Sequence, residues 1–228
     1  MSEPRGGSEH VWTGRRALVD LHTHSYERSL DSGISAARLA SQARESGLDA
    51  ICLTDHNALC SADEAAALGE RFELAVIPGM EVGTDIGHVL VFGLERFHPE
   101  LVHVRQLRRI ARAEGAVMIW AHPMRELALR RLDWEELPEL FEGIEVLNGD
   151  HTDSTDGYFT EIARGLGLGM TAGSDAHSAQ AIGRVATAFA SPIDDLESLM
   201  AALHGRAQQV LDLRGLPSAG ARPPVTRR

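Results

Sequence analysis

The stretch LVDLHTHS, Leu18 to Ser25, decides how this chain is read. Leu18, Val19 and Leu21 suit a buried strand, while Asp20, His22 and His24 fall at every second position, which strand geometry sends to one side. A single histidine of intermediate burial commonly just hydrogen-bonds in place. Two of them beside a carboxylate can close on one cation. The reading then turns on whether the rest of the chain supplies more donors.

Working outward, strand-like and helix-like segments alternate. SAARLASQARESG places Ala36, Leu39, Ala40 and Ala43 at helical spacing and stops at Gly47. AICLTDHNA, a helix through SADEAAALGERF, and one strand LAVIPGMEVGT follow, then the strand HVLVFG and a helix from about Pro99 to Glu114. GAVMIWAHP, a short helix around Trp134 to Phe141, GIEVLNG, a helix near Gly157 to Leu166, GMTAGSDAH, VATAFAS and a helix from Asp194 to His204 complete the series. This order argues for parallel strands covered by helices, as a barrel or an open doubly wound sheet. No glycine-rich nucleotide fingerprint follows the first strand, which favours the barrel.

The polar residues gather at strand ends. VDLHTH ends in His22 and His24, CLTDH in Asp55 and His56, IPGME in Glu81, IWAHP in His122, and TAGSDAH in Asp175 and His177. In parallel α/β folds the carboxyl ends of strands share one face, so separated segments deliver ionisable groups to one place. His88 opens a strand instead of ending one, and Asp31, in RSLDSG, is either a ligand on a loop folded over the site or a turn aspartate. These histidines and carboxylates, with neither cysteine among them, form a nitrogen and oxygen donor set suited to zinc, manganese or iron. So many donors imply two to three divalent ions.

Bulk properties set limits. At 228 residues the chain can bury a core as one domain. We expect flexible tails over residues 1–16 and 215–228 around a domain over 17–214. No apolar run is long enough to cross a bilayer, and MSEPRGGSEHVWTGRR lacks the apolar centre of a signal peptide, so a cytoplasmic protein is expected. Cys52 and Cys60 require no disulfide. A net charge of -11 argues against stable nucleic-acid binding and leaves small anions as substrates. The absence of lysine excludes Schiff-base chemistry on that residue and a bridging lysine carbamate. Arg105, Arg108, Arg109 and Arg112 share a helical face that is either a solvated exterior or a nucleic-acid contact. Oligomeric state is left open.

DLHTHS, LTDH, PGME, AHP and GSDAH occur in the order and at roughly the spacing of the PHP family, the polymerase and histidinol phosphatase domain, which this chain resembles from Leu18 to His177 and more loosely to Leu213. The resemblance implies a distorted (β/α)7 barrel with a trinuclear metal site at the strand ends, and a metal-dependent phosphoesterase acting on a small phosphorylated metabolite or nucleotide. It also implies a first ion held by His22, His24, Glu81 and Asp175. Glu81 would bridge to a second, completed by His88 and His122, and Asp31, His56 and His177 would form a third position. Asp175 or His177 would carry the proton, Asp20 and Asp55 would orient ligand histidines, and Glu145 and Asn148 would support the rim or touch substrate. Arg125, just after AHPM, is a candidate phosphate clamp. His151, in NGDHTD, is the remaining histidine close to a strand end. Three other readings stay open: an exonuclease-type phosphodiesterase on short oligonucleotides, an amidohydrolase-like C–N hydrolase, and a non-catalytic metal-binding domain.

Overall fold

The computed structural model describes residues 16–125, 133–150 and 156–215. Most of the two expected tails, and His151, lie outside the described residues. The strands are β1 (Ala17–Thr23), β2 (Ala50–Leu53), β3 (Ala75–Pro78), β4 (Met80–Thr84), β5 (Gly87–Phe92), β6 (Val117–Trp120), β7 (Gly143–Asn148), β8 (Gly169–Gly173), β9 (Val185–Phe189) and β10 (Gln209–Asp212). The helices are α1 (Ala36–Glu45), α2 (Ala62–Phe72), α3 (Val104–Glu114), α4 (Leu137–Leu140), α5 (Asp156–Leu166) and α6 (Leu196–Gly205). Serine caps start α1 and α2: Ser35 accepts from the Arg38 N–H and Ser61 from the Glu64 N–H. The apolar face read for α1, Ala36, Leu39, Ala40 and Ala43, is the buried one.

The expected closed seven-stranded barrel is not what the hydrogen bonds form. The described residues make a mixed α/β fold of two five-stranded sheets, ordered β10-β9-β1-β2-β3 and β4-β5-β6-β7-β8. β1, β2 and β3 run parallel, as do β6, β7 and β8, but β4–β5, β5–β6, β1–β9 and β9–β10 are antiparallel. The reason is connection length. Only Asp85 and Ile86 join β4 to β5, and so short a link can return the chain only as a hairpin.

The sheets meet near the carboxyl ends of β1 and β2. Thr23 bridges Ala176 and His56 bridges Glu81, with the Asp175 N–H donating to the His22 carbonyl at 2.8 Å and the Glu81 N–H to the Asp55 carbonyl at 3.1 Å. Beneath that seam, Val19, Leu21, Cys52, Ile77, Leu90, Phe92, Val117 and Ile119 pack as one core between the sheets.

LAVIPGMEVGT, read as one strand, is two strands in different sheets. Pro78 of β3 pairs with Leu53 and Met80 of β4 with Val91, so the chain changes sheet at Gly79. A Cβ there would lie 2.7 Å from the Phe92 ring and 3.0 Å from Thr54 Cγ2. Gly79→Ala is therefore expected to destabilise the fold by about 1–3 kcal/mol, read from urea unfolding with an unchanged slope. Likewise the helix read from Pro99 begins as a 3-10 turn, Pro99–Val102, and restarts at Val104, whose N–H is capped by Asp85 Oδ1 at 3.0 Å.

The arginine stripe of α3 is largely a solvated exterior, with Arg105, Arg109 and Arg112 exposed, and three of its members pair with a neighbour. Arg105 pairs with Glu136 at 2.7 Å, Arg108 with Glu142 at 2.8 Å and Arg112 with Glu139 at 3.0 Å. The glutamates come from the segment leading into β7, while Arg109 donates instead to Gln106. No helix among the described residues is long and apolar enough to cross a membrane.

Candidate metal centre

Side chains from six other segments gather around Glu81, which β4 carries into the interior with no exposure. Its Oε1 lies 2.8 Å from His88 Nδ1, 2.9 Å from His122 Nε2 and 3.3 Å from His22 Nε2. Its Oε2 lies 2.9 Å from His56 Nδ1 and 3.3 Å from His24 Nε2. Asp175 Oδ1 stands 3.1 Å from His24 Nε2 and 3.5 Å from His22 Nε2. Farther out, Asp31 Oδ2 lies 3.1 Å from His56 Nε2 and 3.4 Å from His177 Nε2. All nine expected ligands are thus brought together, His88 included, because the hairpin sets β5 beside β4.

Alternation along β1 predicts Asp20 beside His22 and His24 on one side; His22 and His24 do share the site, but Asp20 does not join them. The β1–β2 register shifts between Asp20 and Thr23, and Asp20 stays behind, its Oδ1 accepting from the His22 N–H at 3.3 Å and the Ser174 N–H at 2.8 Å. Burial pushes the Asp20 carboxyl up to about 6. Two site residues have left-handed backbone, His122 at φ 24° and Asp175 at φ 53°. Such conformations are uncommon outside glycine and cluster where a site requires them.

Several inward-facing atoms have no hydrogen-bond partner among the described residues: His22 Nε2, His24 Nε2, His88 Nδ1 and Glu81 Oε2. Buried polar atoms are rarely left so, and a cation at their common focus would satisfy them together. Three-donor groups with the spacing of a coordination shell are His22–His24–Asp175, His56–Glu81–His88, His24–His56–His177 and His22–His122–Glu145. Imidazole and carboxylate without thiolate fit divalent metal binding.

Charge balance points the same way. Burial opposes ionisation of Glu81 and Asp175, but His22 and the other imidazoles hold Glu81 well below the usual carboxylate range, and His22, His24 and Arg125 do the same for Asp175. Burial pushes His22 down, yet Asp175, Glu81 and Glu145 overcome it and raise it well above the ordinary imidazole value. His24 is lowered by burial, with His22 adding to the effect. Protons and cations compete for these nitrogens, so metal affinity falls as pH falls.

Behind the donors, Glu145 does what Asp20 and Asp55 were expected to do. Its Oε1 lies 3.1 Å from His22 Nδ1, while Oε2 accepts from the His122 N–H and from Asn148 Nδ2, both at 3.0 Å. Glu145→Gln keeps the shape but turns a donor on one of these N–H groups. Metal affinity is expected to fall about 10- to 100-fold, measured by competition with a chelator of known affinity. Asn148 is no open substrate contact: it is buried, its amide faces Glu145 and Asp175, and its oxygen accepts from the Asp150 N–H at 3.0 Å. Asp55 accepts from the Ser25 N–H and Oγ, Ser29 Oγ and Arg28 Nε, and so anchors a loop, not a histidine ring. Arg125 reaches the centre, with Nη1 2.5 Å from Asp175 Oδ2 and Nη2 2.9 Å from Asp150 Oδ2.

The motif reading missed Ser25, Arg28, Ser29 and Glu64, which lie around that loop, and Gly173. A Cβ on Gly173 would stand 2.3 Å from His22 Cβ and 2.7 Å from Glu145 Oε1. The glycine opening GSDAH was the available signal for it.

Comparisons with known proteins bear on the fold and the family likeness. A family model described as PHP-associated matches residues 160–208. A 5'-3' exoribonuclease of Haemophilus influenzae is 27% identical over 104 residues, 44% of this chain and 37% of that protein. A two-domain protein of Bacteroides vulgatus containing a predicted PHP-like metal-dependent phosphoesterase shares the fold with a TM-score of 0.71 at 23% identity, over 87% of this chain and 65% of that one. An amidohydrolase of Chromobacterium violaceum, with bound sulfate and no metal, has a TM-score of 0.59 at 18% identity, over 86% and 98% of the two chains. The chain thus spans about a third of the exoribonuclease and just under two thirds of the Bacteroides protein.

Proposed function

We propose that this chain, PHP-like in its motifs, its family match and its fold, is a metal-dependent phosphoesterase that hydrolyses a small phosphorylated metabolite or nucleotide. One observation carries the reading: buried Glu81 stands within 3.3 Å of five imidazoles, His22, His24, His56, His88 and His122, brought in by four separate segments. In this reading His22, His24, Glu81 and Asp175 hold one divalent cation. Glu81, His88 and His122 hold a second, and Asp31, His56 and His177 a third, with zinc, manganese and iron all suited to such donors. When bound, such cations bring the pKa of water down towards neutrality and neutralise charge on phosphoryl oxygens.

The chain's own groups divide the remaining work. Asp175, held well below the ordinary carboxylate range, stays ionised and cannot carry a proton near neutrality. His177 can carry a proton only while the third position holds no cation: its side chain is part exposed and its Nδ1 lies 2.9 Å from the Asp175 carbonyl, so the proton moves at Nε2, the nitrogen that otherwise serves as ligand. Arg125 clamps phosphoryl oxygens with its fork, exchanging exposed Asp150 for substrate. A net charge of -11 and an α3 arginine stripe already paired with Glu136, Glu139 and Glu142 favour a small substrate over an oligonucleotide.

The test is a release assay on the manganese-loaded chain, pairing nucleoside phosphates and sugar phosphates with short oligonucleotides and cyclic amides. Inorganic phosphate from the small esters is the expected result. Cleavage of oligonucleotides alone, the direction the Haemophilus relative's name suggests, would replace the substrate class, and turnover of the amides alone would replace the chemistry.

A further inference from the structure

The donors are of two kinds. His22, His24, Glu81, His122 and Asp175 are fixed at strand ends or within strands and are at most 2% exposed. Asp31 sits instead at the tip of the loop between β1 and α1, its side chain 56% exposed, next to Leu30, which is wholly in water. The neck of this loop is closed by backbone groups: the Tyr26 N–H donates to the Ile34 carbonyl at 2.8 Å and the Gly33 N–H to the His177 carbonyl at 3.1 Å. Those bonds fix its ends but not its tip.

The middle of the loop is tied by Arg28. Its Nε donates to Asp55 Oδ2 at 2.8 Å, and its two Nη atoms donate to the Glu64 carboxylate on α2 at 3.0 and 3.1 Å. Asp55 in turn accepts from Ser29 Oγ at 2.9 Å, and that same oxygen accepts from the His56 N–H at 3.1 Å. Ser25 and Ser29 join the loop bearing Asp31 to the segment bearing His56, and the Arg28 guanidinium adds the tie that also reaches α2. Two-pronged contacts of this kind fix direction as well as distance.

We propose that Arg28 is the positioning residue of the outermost metal position: by tying the 25–34 loop to Asp55 and Glu64 it holds Asp31 opposite His56 and His177, and it sets the affinity of that position alone. This rests on the reading that the centre binds more than one cation. Arg28 touches neither substrate nor ligand atoms and acts through the loop.

The test titrates Mn2+ into the metal-free full chain by calorimetry, with elemental analysis after desalting, for the wild type, Arg28→Ala, Arg28→Lys and Glu64→Gln. Arg28→Ala should weaken the weakest Mn2+ equivalent about 10- to 100-fold and leave the tighter ones unchanged. Arg28→Lys and Glu64→Gln, each keeping part of the contact, should fall in between. Amide hydrogen exchange over residues 26–33 should rise in the same order. Should Arg28→Ala fail to fold, Glu64→Gln, whose side chain is 39% exposed, carries the measurement. Equal weakening of every equivalent, or no change in the weakest, overturns the proposal while the metal reading stands. A wild-type chain that binds no Mn2+, or a single equivalent, removes the outer position and the proposal with it; no binding at all also removes the proposed function.

Discussion

Glu81→Gln should abolish cation binding at the two positions that share this carboxylate and lower phosphate release by about three orders of magnitude or more, because the water those ions would acidify loses them. The carboxylate contacts His22, His24, His56, His88 and His122, so no other single residue is shared by so many described donors. Glutamine keeps the volume but presents one amide donor where two anionic oxygens stood. Circular dichroism should report a folded chain and elemental analysis little retained metal. Saturating cation should stabilise the wild type, by about 2.7 kcal/mol at a hundredfold excess over Kd, and the variant hardly at all. A variant that retains metal and turnover would remove Glu81 from the centre.

The second large effect belongs to a residue with no side chain. In Gly173→Ala the new Cβ would meet His22 Cβ at 2.3 Å and the His22 backbone nitrogen at 2.9 Å. Neither atom can swing aside, since β1 is buried along its whole length. The expected cost is about 3 kcal/mol or more, at or beyond the upper end for overpacking, together with weakened metal binding because His22 must shift. Urea unfolding and a chelator competition on the same sample check both parts. Normal stability with normal affinity would show that β8 and β1 can separate without consequence.

Much of the site was legible because its donors sit in short motifs at strand ends, where residue type and position carry the same message. His88 was harder, being placed by a hairpin and not by the end of its own strand. The hairpin itself was legible in principle, as Asp85 and Ile86 leave no room for a parallel return. The split of one apolar run at Gly79 was not, because nothing in its residue types separates Pro78 from Met80. What that position needs is absence of a Cβ against Phe92, a fact about a partner 13 positions away. Asn148 and Asp55 misled for a related reason: a polar residue beside a motif can serve substrate, ligand or loop, and only its partners tell. The α3 arginines resolved the same way, through glutamates about thirty positions on.

The seam between the sheets also constrains the order of assembly. His22 and His24 face Asp175 across it, and Thr23 completes its bridge only with Ala176. A nascent polypeptide leaving the ribosome would carry its first histidines for most of its synthesis without the aspartate that closes their cage. A truncation ending before Asp175 would lack that carboxylate and leave the Thr23 edge unbridged, so any cation held by His22 and His24 is expected to load after translation and not during it.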